Sequence, residues 1–456
     1  MKFIPNSNLT CYEGNEMEIP EQICFNQDDN SPVKNQQWNH LIEQGIGLTD
    51  LHPVLFRSDT VVAEDDGAMM LMDYLGANIN SKYGKCLDTF LRNIVRAYVR
   101  GFDGLFVPRD KNHYKNHVII NGVEIQTTMY HGGILKALKE LEDGGMIISV
   151  QGIAKSSTCF CYGYVLFTDT LKTYLDSCTL DKGQPELNLV RLKRASGKSE
   201  LKTFKRATPD VRDTQLLLRD YNRFMDDVDI HLNGIPLVTE THRMFIGNFN
   251  KFGRFQAPYQ NLKSEERKYI TFGMKQTCEI DLKASHPTIL YARKNISLLN
   301  WDCYDPCHFY EHIPEKFQSS NGCMLTRTAV KLAIMCAINT SSRAQAVQAM
   351  AGDKYLSSHY GKGHGFYQAL LDAICIVHEP IEEFFFQDCS LDLMFTESKI
   401  IKGIIKDSVE HKIPRLFIHD SVICEKEDAP RVELLFNDYF LKTWGVRCNV
   451  RVKESE

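Results

Sequence analysis

Apolar positions return at helical spacing in six stretches of the chain. From Cys86, the residues Leu87, Phe90, Leu91, Ile94, Val95 and Tyr98 recur every three or four positions, which predicts an amphipathic helix. A second helix is expected from Gly133, with Ile134, Leu135, Leu138 and Leu141 on one face and Gly144-Gly145 as its stop. The pattern repeats over residues 214–225 and 326–340. It returns from about Leu393 through Glu397-Ser398 to Glu410, where Pro414 punctuates the chain, and again over 429–443.

Shorter apolar runs lie between these helices and read as strands: 146–150, 162–167, 278–282, the two arms of 415–425, and 446–452. The polar loop around Gly152 to Ser157 joins the first two. Helix, strand, loop, strand over 81–185 is the shape of a winged helix; it reads equally as a small helical lobe carrying a β-hairpin. Residues 1–80 are polar and irregular. Short apolar pieces such as Val54-Leu-Phe56 and Met69-Met-Leu71 there call for packing against something else.

Composition adds bounds. A chain of 456 residues, 43% hydrophobic and 24% charged, is an ordinary globular protein of two to four domains. No run approaches a membrane span, and the first residues lack the apolar core of a signal peptide, so a cytoplasmic protein is expected. Fifteen scattered cysteines fit reduced thiols. Cys159-Phe-Cys161 and Cys303-x3-Cys307-His308 lack a second spaced pair, so no structural zinc is expected. The net charge of −5 excludes a uniformly basic coat but leaves room for a local basic groove. The stretch 191–206, RLKRASGKSELKTFKR, holds seven basic side chains and one Glu. It reads either as a solvated, exposed linker or as a phosphate-backbone contact through Lys193, Arg194, Lys205 and Arg206.

Candidate chemistry centres on Cys278-Glu-Ile-Asp-Leu-Lys-Ala-Ser-His-Pro287. A strand ends on Asp281, and a tight turn at Ser285-His286-Pro287 enters a helix, where proline is tolerated in the first turn. The run 415–425 places His419-Asp420-Ser421 at the tip between two apolar strands. Asp suits such a turn on structural grounds alone; beside a second strand-end Asp it also has the geometry of a two-metal site. On the 326–340 helix, Arg327 and Lys331 sit four apart, hence on one face. They suit a triphosphate, or are solvent-facing charges. Gly253-Arg254, flanked by aromatics, reads as a hairpin end.

Taken together, Asp281, then Arg327-x3-Lys331, then His419-Asp420-Ser421 resembles the polymerase core of family A DNA polymerases and phage-type single-subunit RNA polymerases. Asn250-x-x-Gly253-Arg254 resembles the template-contacting Asp-x-x-Gly-Arg motif of the latter, with Asn for Asp. The helix carrying Glu397-Ser398 lies where family A places a template-side helix. The resemblance covers residues 240–456 and extends to the divergent family A-like polymerases of plasmids, phages and other mobile elements. Two positions depart from it. Asn339-Thr340 replaces the Tyr-Gly that follows the fingers Lys, and His286-Pro287 replaces a Glu and resembles the Tyr-Pro of family B palms.

The resemblance implies an α+β right-hand polymerase, with an antiparallel palm sheet and helical fingers, preceded by an N-terminal α/β accessory region that reads as a winged helix or as a helical lobe with a β-hairpin. Its expected divisions are an irregular extension (1–80), the accessory domain (81–185), a basic linker and helix of thumb or connector type (186–235), and palm with fingers (236–456). It implies a DNA-directed nucleotidyltransferase without a recognisable proofreading exonuclease, with priming as a further capacity, replicating a mobile element. Asp281 and Asp420 would bridge two Mg2+ ions, for which Mn2+ can substitute, and Arg327 and Lys331 would hold the triphosphate. His419 would orient the primer end, and Arg254 with Gly253 would touch the template or primer backbone.

His286 and Asn339 would flank the nucleotide. At 100° per residue, Asn339 lies about 80° around the helix from Lys331. His286 then either blocks a ribose 2′-hydroxyl or only caps its helix. The partners implied are a DNA primer-template, nucleoside triphosphates and an accessory replication protein, with no membrane. Two other functions carry the same residues: a single-subunit RNA polymerase or primase, and a non-catalytic winged-helix replication initiator.

Overall fold

The computed structural model describes residues 66–99, 102–107, 114, 117–126, 129–150, 163–178, 188–195, 200–204, 207–233, 235–318 and 325–454. The polar segment 1–65, the loop with Cys159 and Cys161, and Lys205 and Arg206 lie outside them. The described residues form an α+β protein with antiparallel sheets, in two compact units.

Of the described residues, the first unit takes those from Asp66 to Arg243 together with Gln256–Thr277. It opens with α1 (Asp66–Tyr74) and α2 (Lys82–Val99), followed by β1 (Gly104–Val107) and a hairpin of β2 (His117–Ile120) and β3 (Val123–Gln126). Next come α3 (His131–Asp143), β4 (Ile147–Val150), β5 (Gly163–Phe167) and α4 (Asp169–Asp176). The strands order β1-β5-β4, antiparallel throughout. The apolar stripes do what their period predicts. Leu87, Phe90, Leu91 and Ile94 of α2 pack with Ile134, Leu138 and Leu141 of α3 against Leu105, Ile147 and Val165 of the sheet. Leu135 departs from the expected face and stays 39% exposed. Helix α3 stops at Gly144, and Gly145 takes a φ of 67°, a left-handed conformation that costs glycine little.

The expectation of an exposed linker over 191–206 is corrected at its start. Residues Val190–Lys193 form β6 and bury Val190, Arg191 and Leu192, because this strand joins β9 (His242–Ile246) in a sheet. Arg191 is 5% exposed, and burial lowers its guanidinium to about 10. It is therefore not available to a phosphate backbone. Arg194 pairs loosely with Glu200 at 3.7 Å, and Lys193 bridges Leu201 through the backbone. Helix α5 (Pro209–Asp226) begins with Thr208, whose side chain accepts from Val211 N–H, and with Pro209 in its first turn. Short antiparallel strands β7 (Ile230–Leu232), β8 (Ile235–Pro236) and β11 (Ile270–Phe272) complete the unit; β10 (Phe255–Gln256) pairs with β9.

The second unit combines Met244–Phe255 with Cys278–Glu456. Its sheet uses the end of β12 (Lys275–Leu282), the hairpin β13 (Arg415–Ile418) and β14 (Ser421–Glu425), and β15 (Val450–Glu454), in the order β13-β14-β12-β15. The last strand starts four residues later than its sequence predicts. Helices α6 (Ser285–Arg293), α11 (Ser390–His411) and α12 (Ala429–Trp444) pack on one another and on the sheet. Between them in sequence lie α7 (Arg327–Asn339), α8 (Arg343–Gly352), α9 (Lys354–Tyr360) and α10 (His364–Val377), which pack together as a helical layer.

Arg415 ties helix to hairpin. Its side chain is fully buried, and it bonds Asp407 at the end of α11 and Asp428 beyond β14. Burial raises the Asp407 carboxyl, but hydrogen bonds from Arg431 and Arg415 outweigh it and bring it down to about 2. No helix among the described residues is long and apolar enough to cross a membrane, and their cysteines are free thiols.

Candidate active site

Strand β12 delivers Asp281 beside the β13–β14 turn. Leu282 N–H donates to the Asp420 carbonyl at 3.4 Å, and Cys278 and Cys424 touch at 4.0 Å further along, so β12 and β14 run antiparallel. Asp281 and Asp420 thus stand at neighbouring strand ends. The turn is a two-residue connection, His419-Asp420, between the paired Ile418 and Ser421. His419 holds a φ of 53°, unusual for a residue with a Cβ and a cost of about 1 kcal/mol that the hairpin must offset.

The two acids have different surroundings. Asp281 is half-buried and opposes Arg451 across the β12–β15 ladder, bonding it at 2.6 Å, with Lys453 at 3.5 Å. Lys453 also meets Glu279 at 2.8 Å, and Ser421 donates to Glu279 at 3.1 Å. These charges share one face because positions two apart on a strand point the same way. The Asp420 carboxylate, by contrast, has no side-chain hydrogen bond or ion pair among the described residues. Its surface is only partly covered, but dense protein around it raises its pKa to about 7, helped by the negative charges of Glu397 and Asp281.

Glu397, on α11, is the hub beneath. Its side chain is 2% exposed and takes Arg254 at 2.6 Å, His286 Nε2 at 3.2 Å and the Ser285 hydroxyl at 2.5 Å. Burial works to raise its carboxyl, but the Arg254 and His286 charges win and hold it well below the carboxylate range. Gly253 makes the Arg254 contact possible. At a φ of 62°, a Cβ there would lie 2.7 Å from Phe395 and 2.8 Å from Ser398 on α11. The bare backbone can therefore close on the helix and hand Arg254 to Glu397. The guanidinium is 14% exposed, so the structure spends it on an internal ion pair rather than leaving it open for a nucleic-acid backbone.

His286 is equally internal. It is 6% exposed, the second residue of α6, and its Nδ1 has no partner among the described residues. The helix is entered through Ala284 at a φ of 47°, with no side-chain cap, so His286 is not a cap residue. Asn339 ends α7 with its Oδ1 buried and without a partner among the described residues. It lies about 12 Å along the helix axis from Lys331 at 1.5 Å per residue.

Arg327 begins α7 after Thr326, whose hydroxyl accepts from Ala329 N–H. Its guanidinium bonds Asp302 twice, at 2.7 and 3.0 Å, and lies 5.2 Å from the Tyr304 ring centre. The Arg327 hydrogen bonds hold the Asp302 carboxyl below its ordinary value. Lys331, four residues on, is exposed and has no ion pair among the described residues. The Tyr304 hydroxyl feels Arg327, Asp420 and Asp302 together, which sets the head of α7 and the β13–β14 turn in one electrostatic neighbourhood.

The donor set fits hard divalent cations. Mg2+ is held by one or two carboxylates plus substrate phosphates and water rather than by a full protein cage. Among the described residues no three or more His, Cys, Asp or Glu side chains are grouped to hold a metal, so a cation here would rest on Asp281 and Asp420. Burial raises Asp420 first and the negative charges of Glu397 and Asp281 add to it; a cation held by Asp420 and Asp281 would offset that added charge. His308 of the Cys303–His308 segment instead accepts from Trp301 Nε1 at 2.8 Å.

Several residues of this site escape sequence reasoning. Glu397 is legible in retrospect as a lone acid among Leu393, Met394, Ile400 and Ile401, positions that α11 buries. Arg451 and Lys453 alternate with Val450 and Val452, the mark of a charged strand face. Asp302 and Ser285 carry no such signal. No protein-family model matches the sequence, and no curated protein does.

Proposed function

We propose that the second unit is the palm and fingers of a template-directed nucleotide polymerase, a DNA polymerase without a proofreading exonuclease. One observation carries the reading. Asp281 and Asp420 stand at adjacent ends of an antiparallel sheet, and the Tyr304 hydroxyl feels both Asp420 and Arg327, the first residue of a helix that carries Lys331 four positions on. In this reading the sheet β13-β14-β12-β15 is the palm, and α7 with α8 and α10 belongs to the fingers.

Asp281 and Asp420 would hold two Mg2+ ions. When bound, these activate the primer 3′-hydroxyl and offset charge on the leaving pyrophosphate. Arg327 and Lys331 bind the triphosphate oxygens and offset charge developing on them. The strained His419 turn fixes the direction of Asp420 and meets the primer end. Glu397 positions Arg254, Ser285 and His286 beneath the carboxylates, so Arg254 and His286 act through the palm rather than on the substrate.

The placement of His286 favours a second reading alongside the first. A ring 6% exposed and bound to Glu397 makes a poor sugar gate. A single-subunit RNA polymerase or primase uses the same acids and cations without such a gate.

The first unit's three-stranded sheet with α2 and α3 supports a winged-helix type of accessory domain. The exposed surface of α3 sets Lys136 and Lys139 beside Glu142 and Asp143, a balanced face that suits a protein such as a replication partner better than phosphates. Primer extension with dNTPs and NTPs in separate reactions, with and without primer, tests the function. Incorporation that requires template and divalent ion supports it, and none under any combination overturns it.

A further inference from the structure

Asp302 sits on the guanidinium that the proposed nucleotide needs. Its two oxygens take Arg327 Nε and Nη2 at 2.7 and 3.0 Å, the parallel two-bond fork with which arginine also grips a phosphate. Oδ1 accepts in addition from Tyr304 N–H at 3.1 Å, a local turn that holds the carboxylate in place. The buried Tyr304 ring, 5.2 Å away, forms a floor for the guanidinium. Lys331 lies on the same face of α7, and Lys283 is close enough to act on the Asp302 carboxyl. Both lysines are exposed and without an ion pair among the described residues. Arg327 and Lys283 thus act on one resident anion, with Lys331 one turn along the helix from Arg327.

We infer that Asp302 is a stand-in for the triphosphate, a counter-anion that an incoming nucleotide must displace from Arg327, and that it thereby sets nucleotide affinity. The inference rests on the polymerase reading of the site. The pair is well suited to exchange. Its side chains are 57% and 46% exposed, and water screens such a pair, so breaking it costs little. A triphosphate offers several anionic oxygens to Arg327 and Lys331 at once, whereas Asp302 engages Arg327 alone. Displaced, Asp302 keeps its turn with Tyr304 and is ready to return when pyrophosphate leaves.

The discriminating variant is Asp302→Asn, which removes the charge but keeps an oxygen able to accept from Tyr304 N–H. Its KM for the incoming nucleotide should fall about two- to fivefold, the range of a screened surface pair. The advantage should shrink as salt rises from about 50 to about 500 mM. In an Arg327→Gln background the Asp302→Asn effect should vanish. Calorimetric titration with inorganic tripolyphosphate reads the same competition without catalysis and should show the same gain. A wild-type protein that incorporates no nucleotide would sink the polymerase reading, and the tripolyphosphate titration would still decide the role of Asp302. Equal or weaker tripolyphosphate binding by a folded Asp302→Asn protein, verified by its melting curve, overturns the inference and leaves Asp302 a structural tether.

Discussion

Arg254 and Glu397, 143 residues apart in the chain, meet as a buried ion pair at 2.6 Å. The contact locks the hairpin end before Phe255 onto α11, and the same carboxylate takes Ser285 and His286 from α6. Three segments are thus fixed beneath the paired acids by one side chain. Removing one partner of a buried pair leaves the other charged and dry, typically at a cost of about 3–5 kcal/mol. Glu397→Ala should therefore lower unfolding stability by about that amount in urea titrations. A loss below about 1 kcal/mol would show that water reaches Arg254 and that the hub is not dry.

Asp281 and Asp420 should be individually indispensable for incorporation. Loss of a metal-bridging carboxylate removes several kcal/mol of transition-state stabilisation, so Asp281→Asn or Asp420→Asn should slow primer extension by at least about a hundredfold. Rates of either variant within tenfold of wild type, measured on the same primer-template, would rule out the metal assignment.

The pH dependence should carry opposite signs at the two carboxylates. Glu397 is held below the usual range, so its contribution to stability is complete above that range and lost as pH falls through its folded value. Asp420 is raised from 3.8 to about 7, so between those values the folded state binds the extra proton and stability declines as pH rises. Asp420→Asn should abolish that decline and melt above wild type at pH 7.5. A variant melting below wild type there would contradict the burial and negative charge that raise Asp420.

Divalent ion should act on the same charge. Adding Mg2+ at pH 7.5 should raise the melting temperature of the wild-type protein by binding the folded state. Asp420→Asn should respond less. Identical shifts in both proteins would place the ion elsewhere.

Gly253→Ala should test the approach of the hairpin end to α11. A methyl at a φ of 62° would lie 2.7 Å from the Phe395 ring, so the ring, the Ser398 hydroxyl or the segment itself must shift. A left-handed alanine alone costs about 1–2 kcal/mol, and the displaced Arg254 adds to it. Chemical denaturation should show at least that loss, and an unchanged midpoint would mean that the backbone relaxes without disturbing the ion pair.

The sequence by itself determined the local elements. Apolar period sets α2, α3, α5, α7, α11 and α12 within a few residues of their observed ends, because helices and strands are chosen by which face can be buried. The turn at His419-Asp420 and the strand ending at Asp281 follow for the same reason. Tertiary structure alone decided which charges meet. The order of Asp281, Arg327 and Asp420 along the chain carries no information that Arg254 would turn inward to Glu397, that Arg191 would be buried in β6, or that Asp302 would occupy Arg327. Ion pairing depends on distance and on loss of water, both set by packing between segments up to 174 residues apart, as Glu279 and Lys453 are. Periodicity reads the face that a residue presents, and only the packed fold supplies what that face meets.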